Sequence, residues 1–399
     1  MKYTSLVKAI TATLLISGCA SKNKTASQEA KDNWTNARAG VSEGIARDQF
    51  FSGNLKQARQ SIDQALATSN ARSSAFILSA QIAIEEGKLE TALASLKQAA
   101  ELDQTNPEID YLLGVVNQRW QRPELALANY RAASTKKPSD LAFTMAEAET
   151  LVEMERVDEA IALLEKRVVF FESSSPIRDV LAQLLERRNK GNDLTRAIDL
   201  YRQATVLESG DDAVRERLAI AFYRGKRFGE AAVVLQRLIV KPEFAKRGDL
   251  HLAIGNCEME QGNFGEARPS FERASALGAK QSSPHIGIAK ASMALGDFKR
   301  AQVALSRAAT LSAATPVESM EVSLLQTTLA IKQAKWAEAK IAAERVLVMQ
   351  PENGTALVML GLAESRLGRA KEAKAALAMA LSVDPNDALA RSILQNVVR

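Results

Sequence analysis

The chain has 399 residues, 46% of them hydrophobic and 5% aromatic, and a formal net charge of +5. The apolar fraction excludes wholesale disorder, and two cysteines are too few for a disulfide-stapled scaffold or a multi-cysteine metal site. The net charge falls to +3 once the two lysines of residues 1–18 are set aside. This weak charge is not that of a basic nucleic-acid-binding face, so we expect no nucleic-acid partner.

Residues 1–18 have the features of a secretory signal peptide. Lys2 and Lys8 give a positively charged start, and Ala9 to Ile16 form a short apolar stretch. This stretch is too short to span a bilayer, because a stable transmembrane helix needs roughly 20 apolar residues. We therefore predict that residues 1–18 direct export.

The sequence Ile16-Ser17-Gly18-Cys19 resembles the lipobox of bacterial lipoproteins, with Ile16 in place of the usual leucine. The resemblance implies that Cys19 is acylated and becomes the first residue of the mature chain. Acyl chains hold a soluble domain on a membrane by burying their methylene groups in the bilayer. The alternative is an ordinary cleaved signal followed by an incidental cysteine.

Residues 19–38 are expected to be the lipidated cysteine and a polar tether, because residues 20–33 lack an apolar period. Ala20-Ser21 follows Cys19 without an aspartate, which resembles the sorting pattern of outer-membrane lipoproteins. We therefore expect an envelope protein, lipid-anchored at the outer membrane and facing the periplasm. The second cysteine, Cys257, lies in an apolar helical pattern and is expected in the core.

Residues 39–386 contain a motif, Gly-x-Φ-x-x-Ala with Φ apolar, that returns about every 34 residues. Six of the nine intervals between its alanines are 34 residues, and the other three are 36 to 38 residues. We call these alanines the anchors: Ala58, Ala92, Ala126, Ala160, Ala197, Ala231, Ala267, Ala301, Ala339 and Ala373. Such a fixed period is the signature of a repeat array.

Each repeat reads as two helices joined by a tight turn. Three positions of the second helix share one face: the anchor, a larger residue four positions later, and a small residue seven positions later. Arg167 and Leu238 depart from the pattern at the small position. A glycine often stands five positions before the anchor, where a left-handed residue ends the first helix. Prolines are expected to stop the second helices: Pro107, Pro138, Pro242, Pro316, Pro351 and Pro385.

This pattern resembles the tetratricopeptide repeat, and Leu113-Gly114, Ile254-Gly255 and Leu360-Gly361 match its first helix. The resemblance implies an all-α fold, an α-solenoid in which about ten helix-turn-helix hairpins form a right-handed superhelix. Residues 387–399 are expected to cap the array as a short helix. Its apolar stripe would consist of Leu389, Ile393, Leu394 and Val397, because an array of stacked hairpins needs a polar end.

In this family, ligands commonly bind the concave face formed by the first helices. The residues fifteen, eleven and eight positions before the anchor form one stripe there. The residues of this predicted stripe are Ile77, Gln81, Ile84, Tyr111, Val115, Gln118, Leu252, Asn256, Met259, Ile286, Lys290, Met293, Val358, Leu362 and Ser365. The stripe suits an amphipathic helix or an extended peptide. For any one residue, the alternative is ordinary packing between neighbouring first helices.

The sequence offers little to support catalysis, a cofactor or a metal site. His251 and His285 stand at the same position of adjacent repeats and are expected to be structural, because neither a third histidine nor a cysteine pair completes a metal site. There is no glycine-rich phosphate loop and no nucleophile elbow. No interval between anchors exceeds 38 residues, which leaves no room for an inserted catalytic domain.

We therefore predict a non-enzymatic, membrane-anchored scaffold or adaptor that binds other envelope proteins or peptides through its concave face. Resemblance to lipoproteins with similar arrays implies a role in assembling a pilus, a secretion system or an exopolysaccharide export system. The alternative is a polysaccharide- or peptidoglycan-binding module, and an envelope enzyme is a further rival. Glycan binding would need exposed aromatic platforms, and only Tyr111 and Tyr223 come near the stripe.

Overall fold

The computed structural model describes residues 26–67, 71–278, 280–313 and 315–398. The predicted signal peptide and Cys19 lie outside the described residues. Within these ranges the chain forms 21 α-helices and one short 3-10 helix, with no β-strand. The chain divides into two compact units, the first ending at Phe170 and the second beginning at Phe171.

The first unit contains four helical hairpins and ends in the 3-10 helix, Val168–Phe170. Each hairpin pairs an odd-numbered helix with the even-numbered helix that follows it. The helices are α1 (Ala26–Phe51), α2 (Leu55–Leu66), α3 (Ser73–Glu85), α4 (Leu89–Leu102), α5 (Pro107–Arg119), α6 (Pro123–Lys136), α7 (Leu141–Glu153) and α8 (Val157–Arg167).

The second unit contains six hairpins and a final single helix. The helices are α9 (Ser175–Arg188), α10 (Asp193–Leu207), α11 (Asp212–Arg224), α12 (Phe228–Ile239), α13 (Gly248–Glu260), α14 (Phe264–Leu277), α15 (Ser283–Ala294), α16 (Phe298–Leu311), α17 (Pro316–Lys332), α18 (Trp336–Met349), α19 (Gly354–Arg366), α20 (Ala370–Val383) and α21 (Ala388–Val398). The prediction of an all-α solenoid of ten hairpins followed by a helix is confirmed.

The ten anchor alanines lie in the ten second helices, and every one of them is fully buried. The residues four positions later are buried as well. A methyl group at the anchor lets the second helix approach its partner closely, and a bulky side chain there would overpack the contact. The 34-residue period of the sequence therefore reflects the need for a small residue at the contact between the two helices of each hairpin.

The large residues of the second helices rest on glycines of the first helices. A Cβ atom at Gly114 would lie 2.5 Å from a ring carbon of Tyr130, and one at Gly361 would lie 2.6 Å from Leu377. Phe271 of α14 is covered on two sides, because Cβ atoms at Gly255 and Gly287 would each approach its ring to 2.6 Å. Gly255 belongs to α13 of the same hairpin and Gly287 to α15 of the next, so one buried ring joins two successive hairpins.

In nine of the ten hairpins the turn has a left-handed residue five positions before the anchor, and in the turn between α9 and α10 Asn189 and Gly191 are left-handed instead. Five positions before the anchor, Gly262 and Gly296 have φ angles of 78° and 76°. In four repeats the same position holds a residue with a side chain and a φ angle between 56° and 60°: Gln121, Glu155, Lys226 and Ala334. Left-handed geometry is strained for such residues, so these four turns are less favourable than the glycine turns.

The prolines mark two different helix boundaries. Pro138, Pro351 and Pro385 follow the ends of α6, α18 and α20, as predicted, and Pro242 lies in the loop after α12. The prediction that Pro107 and Pro316 end second helices is wrong, because each is the first residue of the next first helix. The first helical position needs no backbone N–H donor, so proline is favoured there.

Both termini of the helical array differ from the expectation. The tether predicted over residues 20–33 is wrong from Ala26 onward, where α1 begins. At the other end, α21 packs on α20 through Ala390 and Ile393, whereas Leu389 is exposed, contrary to the predicted stripe. Arg167, a departure from the small-residue pattern, is half-buried and stands three residues before the end of the first unit.

The turn residues predict opposite effects for two simple substitutions. Replacing Gly296 with alanine should lower the free energy of unfolding by about 1 kcal/mol, because the new Cβ atom is strained at a φ angle of 76°. Replacing Ala334 with glycine should raise it by about 0.5 kcal/mol, since relief of strain outweighs the entropy gained by the unfolded chain. Urea unfolding followed by circular dichroism measures both, and a stabilising Gly296→Ala would contradict the turn assignment.

Candidate partner-binding groove

The structure divides the predicted stripe into buried and accessible residues. Five of its members lie in the core: Ile77, Ile84, Ile286, Met293 and Val358. Of these, Ile286 still lines a cavity of the second unit. The other members are at least partly exposed: Gln81, Tyr111, Val115, Gln118, Leu252, Asn256, Met259, Lys290, Leu362 and Ser365. The candidate binding surface is therefore narrower than the sequence stripe.

Predicted residues of two successive repeats meet in the second unit. A cavity of about 240 Å³ is lined by Leu252, Asn256 and Met259 of α13 together with Lys290 of α15. Glu318 and Glu321 of α17 complete its wall. Three successive first helices, α13, α15 and α17, thus contribute to one concave surface.

A second cavity of about 300 Å³ lies between α11 and α13. Ile220, Tyr223 and Leu250 form much of its apolar wall, and Asn256 lines both this cavity and the first one. We call the two together the second-unit groove, which the first helices α11, α13, α15 and α17 line. Its apolar floor and polar edge resemble in composition the pockets that bind peptides or small molecules.

Five carboxylates line the second-unit groove against two cations. The carboxylates are those of Glu216, Asp249, Glu260, Glu318 and Glu321, and the cations are Arg247 and Lys290. Both cations are engaged: Arg247 lies 2.6 Å from Glu216, and Lys290 lies 2.6 Å from Glu321. The groove is therefore acidic in a chain whose net charge is positive.

Arg247 orders one edge of this groove. Hydrogen bonds to Asp249 and Glu216 raise the pKa of its guanidinium above the ordinary value, and the guanidinium in turn lowers the pKa of the Asp249 carboxyl. Both groups are therefore charged at neutral pH. The bridge fixes the loop before α13 against α11, which holds the groove wall in place.

The sequence reasoning missed several groove residues. Glu216, Ile220 and Tyr223 stand fifteen, eleven and eight positions before Ala231, so the stripe rule applied to the sixth repeat identifies them. Arg247 ends the longer connection between repeats six and seven, where the period is broken, and Asp249 lies in the first turn of α13. No periodic signal locates them.

In the first unit, Gln81 and Tyr111 line a cavity of about 640 Å³ together with Phe143 and Asp140. The Tyr111 ring lies 5.0 Å from Phe143 and 5.6 Å from Tyr130, measured between ring centroids. Burial raises the pKa of the Tyr111 hydroxyl, so it stays protonated at neutral pH. Gln118 accepts a hydrogen bond from the Tyr130 hydroxyl at 2.7 Å and is thereby held beside this aromatic cluster.

Cys257 and the two histidines occupy structural positions. The Cys257 thiol is fully buried, as predicted, and burial raises its pKa to about 11. His251 is half-buried, and burial lowers the pKa of His285. Across the described ranges, no group of three or more His, Cys, Asp or Glu side chains is placed to hold a metal ion.

The buried thiol predicts slow chemical modification. In the folded protein, Cys257 should react with iodoacetamide at pH 8 at least about tenfold more slowly than in urea, because a pKa of about 11 leaves little thiolate. Mass spectrometry of a Cys19→Ser chain isolates this thiol. Equal rates in the folded and unfolded chains would show that Cys257 is accessible.

Family models match three stretches of the chain. A model described as TPR repeat matches residues 80–119, and one described as tetratricopeptide repeat matches residues 181–247 and 324–388. These matches show that the chain contains tetratricopeptide repeats in these three stretches, and the ten hairpins have the helix-turn-helix form of such repeats. Its repeats form a scaffold for protein–protein interaction, and such scaffolds are typically non-catalytic.

The chain also resembles solved structures of the family at low identity. The P58(IPK) TPR domain is 15% identical, with 90% of this chain and 97% of that chain covered and a TM-score of 0.33. Yeast Tom70 is 13% identical, with 92% of this chain and 88% of that chain covered and a TM-score of 0.40. The C-terminal part of a TPR repeat-containing protein from Cytophaga hutchinsonii is 14% identical. The match covers 71% of this chain and 99% of that chain, with a TM-score of 0.43.

No curated protein matches this chain. At the identities and TM-scores above, the solved structures give no information about its partner or its activity.

Proposed function

We propose that this protein is a lipid-anchored scaffold of the bacterial cell envelope that binds basic, partly apolar segments of other envelope proteins in its second-unit groove. The acyl anchor at Cys19 attaches it to the outer membrane on the periplasmic side. Its role is to assist the assembly of a pilus, a secretion system or an exopolysaccharide export system. Holding the groove at a membrane raises its effective concentration toward partners that reside there.

The observation that carries this proposal is the pairing of an apolar floor with acidic edges. Leu252 and Met259 present half-buried apolar surface, and Glu260 and Glu321 stand beside them on the same cavity wall. A segment that is apolar on one side and carries Lys or Arg on the other complements both features. Charge complementarity of this kind sets the specificity and the association rate more than the affinity.

The anchor is tested by replacing Cys19 with serine. The variant should move from the membrane fraction to the soluble fraction, because it lacks the acyl chains that anchor the folded array. Fractionation followed by immunoblotting measures this, and circular dichroism should show unchanged helicity. A Cys19→Ser chain that still sediments with membranes would contradict the proposal that Cys19 carries the membrane anchor.

The groove is tested by reversing its charge. The double variant Glu260→Lys with Glu321→Lys should retain envelope proteins from a detergent extract about tenfold more weakly than the parent chain, because the edge would then repel a basic segment. Glu372→Lys on the exposed face of α20 is the matched control and should retain them normally. Equal loss in the control, or no loss in the double variant, would refute the groove assignment.

A glycan-binding function is the second candidate, and the aromatic residues near the stripe bear on it. Tyr223 is partly exposed in the second-unit groove, and Tyr111 is half-buried against Phe143 in the first-unit cavity. The test is binding of the purified chain to peptidoglycan or polysaccharide. Binding that is abolished by Tyr223→Ala, but is unaffected by the charge reversal at Glu260 and Glu321, would favour glycan binding over peptide binding.

A further inference from the structure

Helix α1 carries an apolar stripe that no other described part of the chain covers. Trp34, Val41 and Ile45 are 72%, 63% and 47% exposed. At 100° per residue they fall within about 40° of one another around the helix axis, and they extend over about 16 Å. The other side of the helix is buried in the first hairpin through Ala46 and Phe50.

The same position is covered in later hairpins. Val41 stands seventeen residues before its anchor, and the residues at that position in later first helices are buried: Ile109, Val214, Leu250 and Val322. In each of those hairpins a preceding helix packs against the first helix. Helix α1 has an apolar face at that position, and no described helix precedes it.

The charges along α1 are divided between its two sides. Lys31 and Arg38 are exposed and lie within about 60° of the apolar stripe, whereas Glu29 and Asp32 point to the opposite side. Asp48, one turn beyond Ile45, marks the end of the stripe that is farthest from Cys19. An apolar stripe with adjacent cations is typical of helices that lie on anionic membranes.

The short distance in sequence from Cys19 identifies the surface that covers this stripe. Ala26, the first residue of α1, is the seventh residue after Cys19, so α1 begins within about 25 Å of an acylated Cys19.

We propose that α1 lies along the surface of an anionic phospholipid bilayer, with Trp34, Val41 and Ile45 in the interface and Lys31 and Arg38 at the lipid phosphates. This inference rests on the lipid anchor proposed above. Among the described helices, α1 included, none is long and apolar enough to cross a membrane. The tryptophan suits this depth, because its ring is both apolar and a hydrogen-bond donor. The contact fixes how the first hairpin is presented to the membrane.

The test uses the full acylated chain reconstituted into vesicles of phosphatidylethanolamine and phosphatidylglycerol. A nitrobenzoxadiazole probe is attached at Val41→Cys or, as a matched control on exposed α2, at Gln57→Cys. Vesicle flotation reports the anchor, and quenching by nitroxide-labelled lipids reports contact of the probe with the bilayer. We expect both chains to float and only the probe at position 41 to be quenched. The Lys31→Glu, Arg38→Glu variant should float but lose most of that quenching.

The possible failures are distinct. Flotation without quenching at position 41 overturns the placement of α1 and leaves the anchor intact. A blue-shifted but unquenched probe at position 41 shows that protein covers the stripe in place of lipid, which also overturns the proposal. Failure to float overturns the anchor, and with it the membrane contact of α1.

Discussion

The whole array depends on close contact between a large side chain of a second helix and a small residue of a first helix. Phe271 shows this most clearly, because its ring fills the space beside both Gly255 and Gly287. The ring packs α14 against α13 of its own hairpin and against α15 of the next. A single hairpin cannot bury its apolar face alone, so contacts of this kind make the stack cooperative.

This constraint also determines where a binding surface can exist. Because the second helices nest into the first helices, the opposite faces of α11, α13, α15 and α17 remain free to line the second-unit groove. Ion pairs such as Arg247–Glu216 then tie neighbouring first helices together at the edge of the groove. Packing creates the concavity, and surface charge gives it an acidic character that the net charge of the chain does not suggest.

The sequence period was sufficient to predict the ten hairpins, the anchors and the glycine turns, because each reflects a local steric requirement. It could not show that Ile286 and Met293 are buried while Leu252 and Met259, at the same repeat positions, are only half-buried. That difference depends on how neighbouring hairpins pack. The early start of α1 was missed because residues such as Ala, Gln, Glu and Lys favour helix without forming an apolar stripe. The charges at the groove edge come partly from irregular loops, which carry no period.

The most direct test of the central claim is the sign of the stability change in Gly255→Ala. Helix propensity alone would make this change stabilising by about 1 kcal/mol, as it should for Gly265→Ala in α14, where a Cβ atom meets open space. The packing account predicts that Gly255→Ala is destabilising by about 1–3 kcal/mol, and that Phe271→Leu removes most of this penalty in the double variant. Stabilisation by Gly255→Ala, equal to that of Gly265→Ala, would contradict the account.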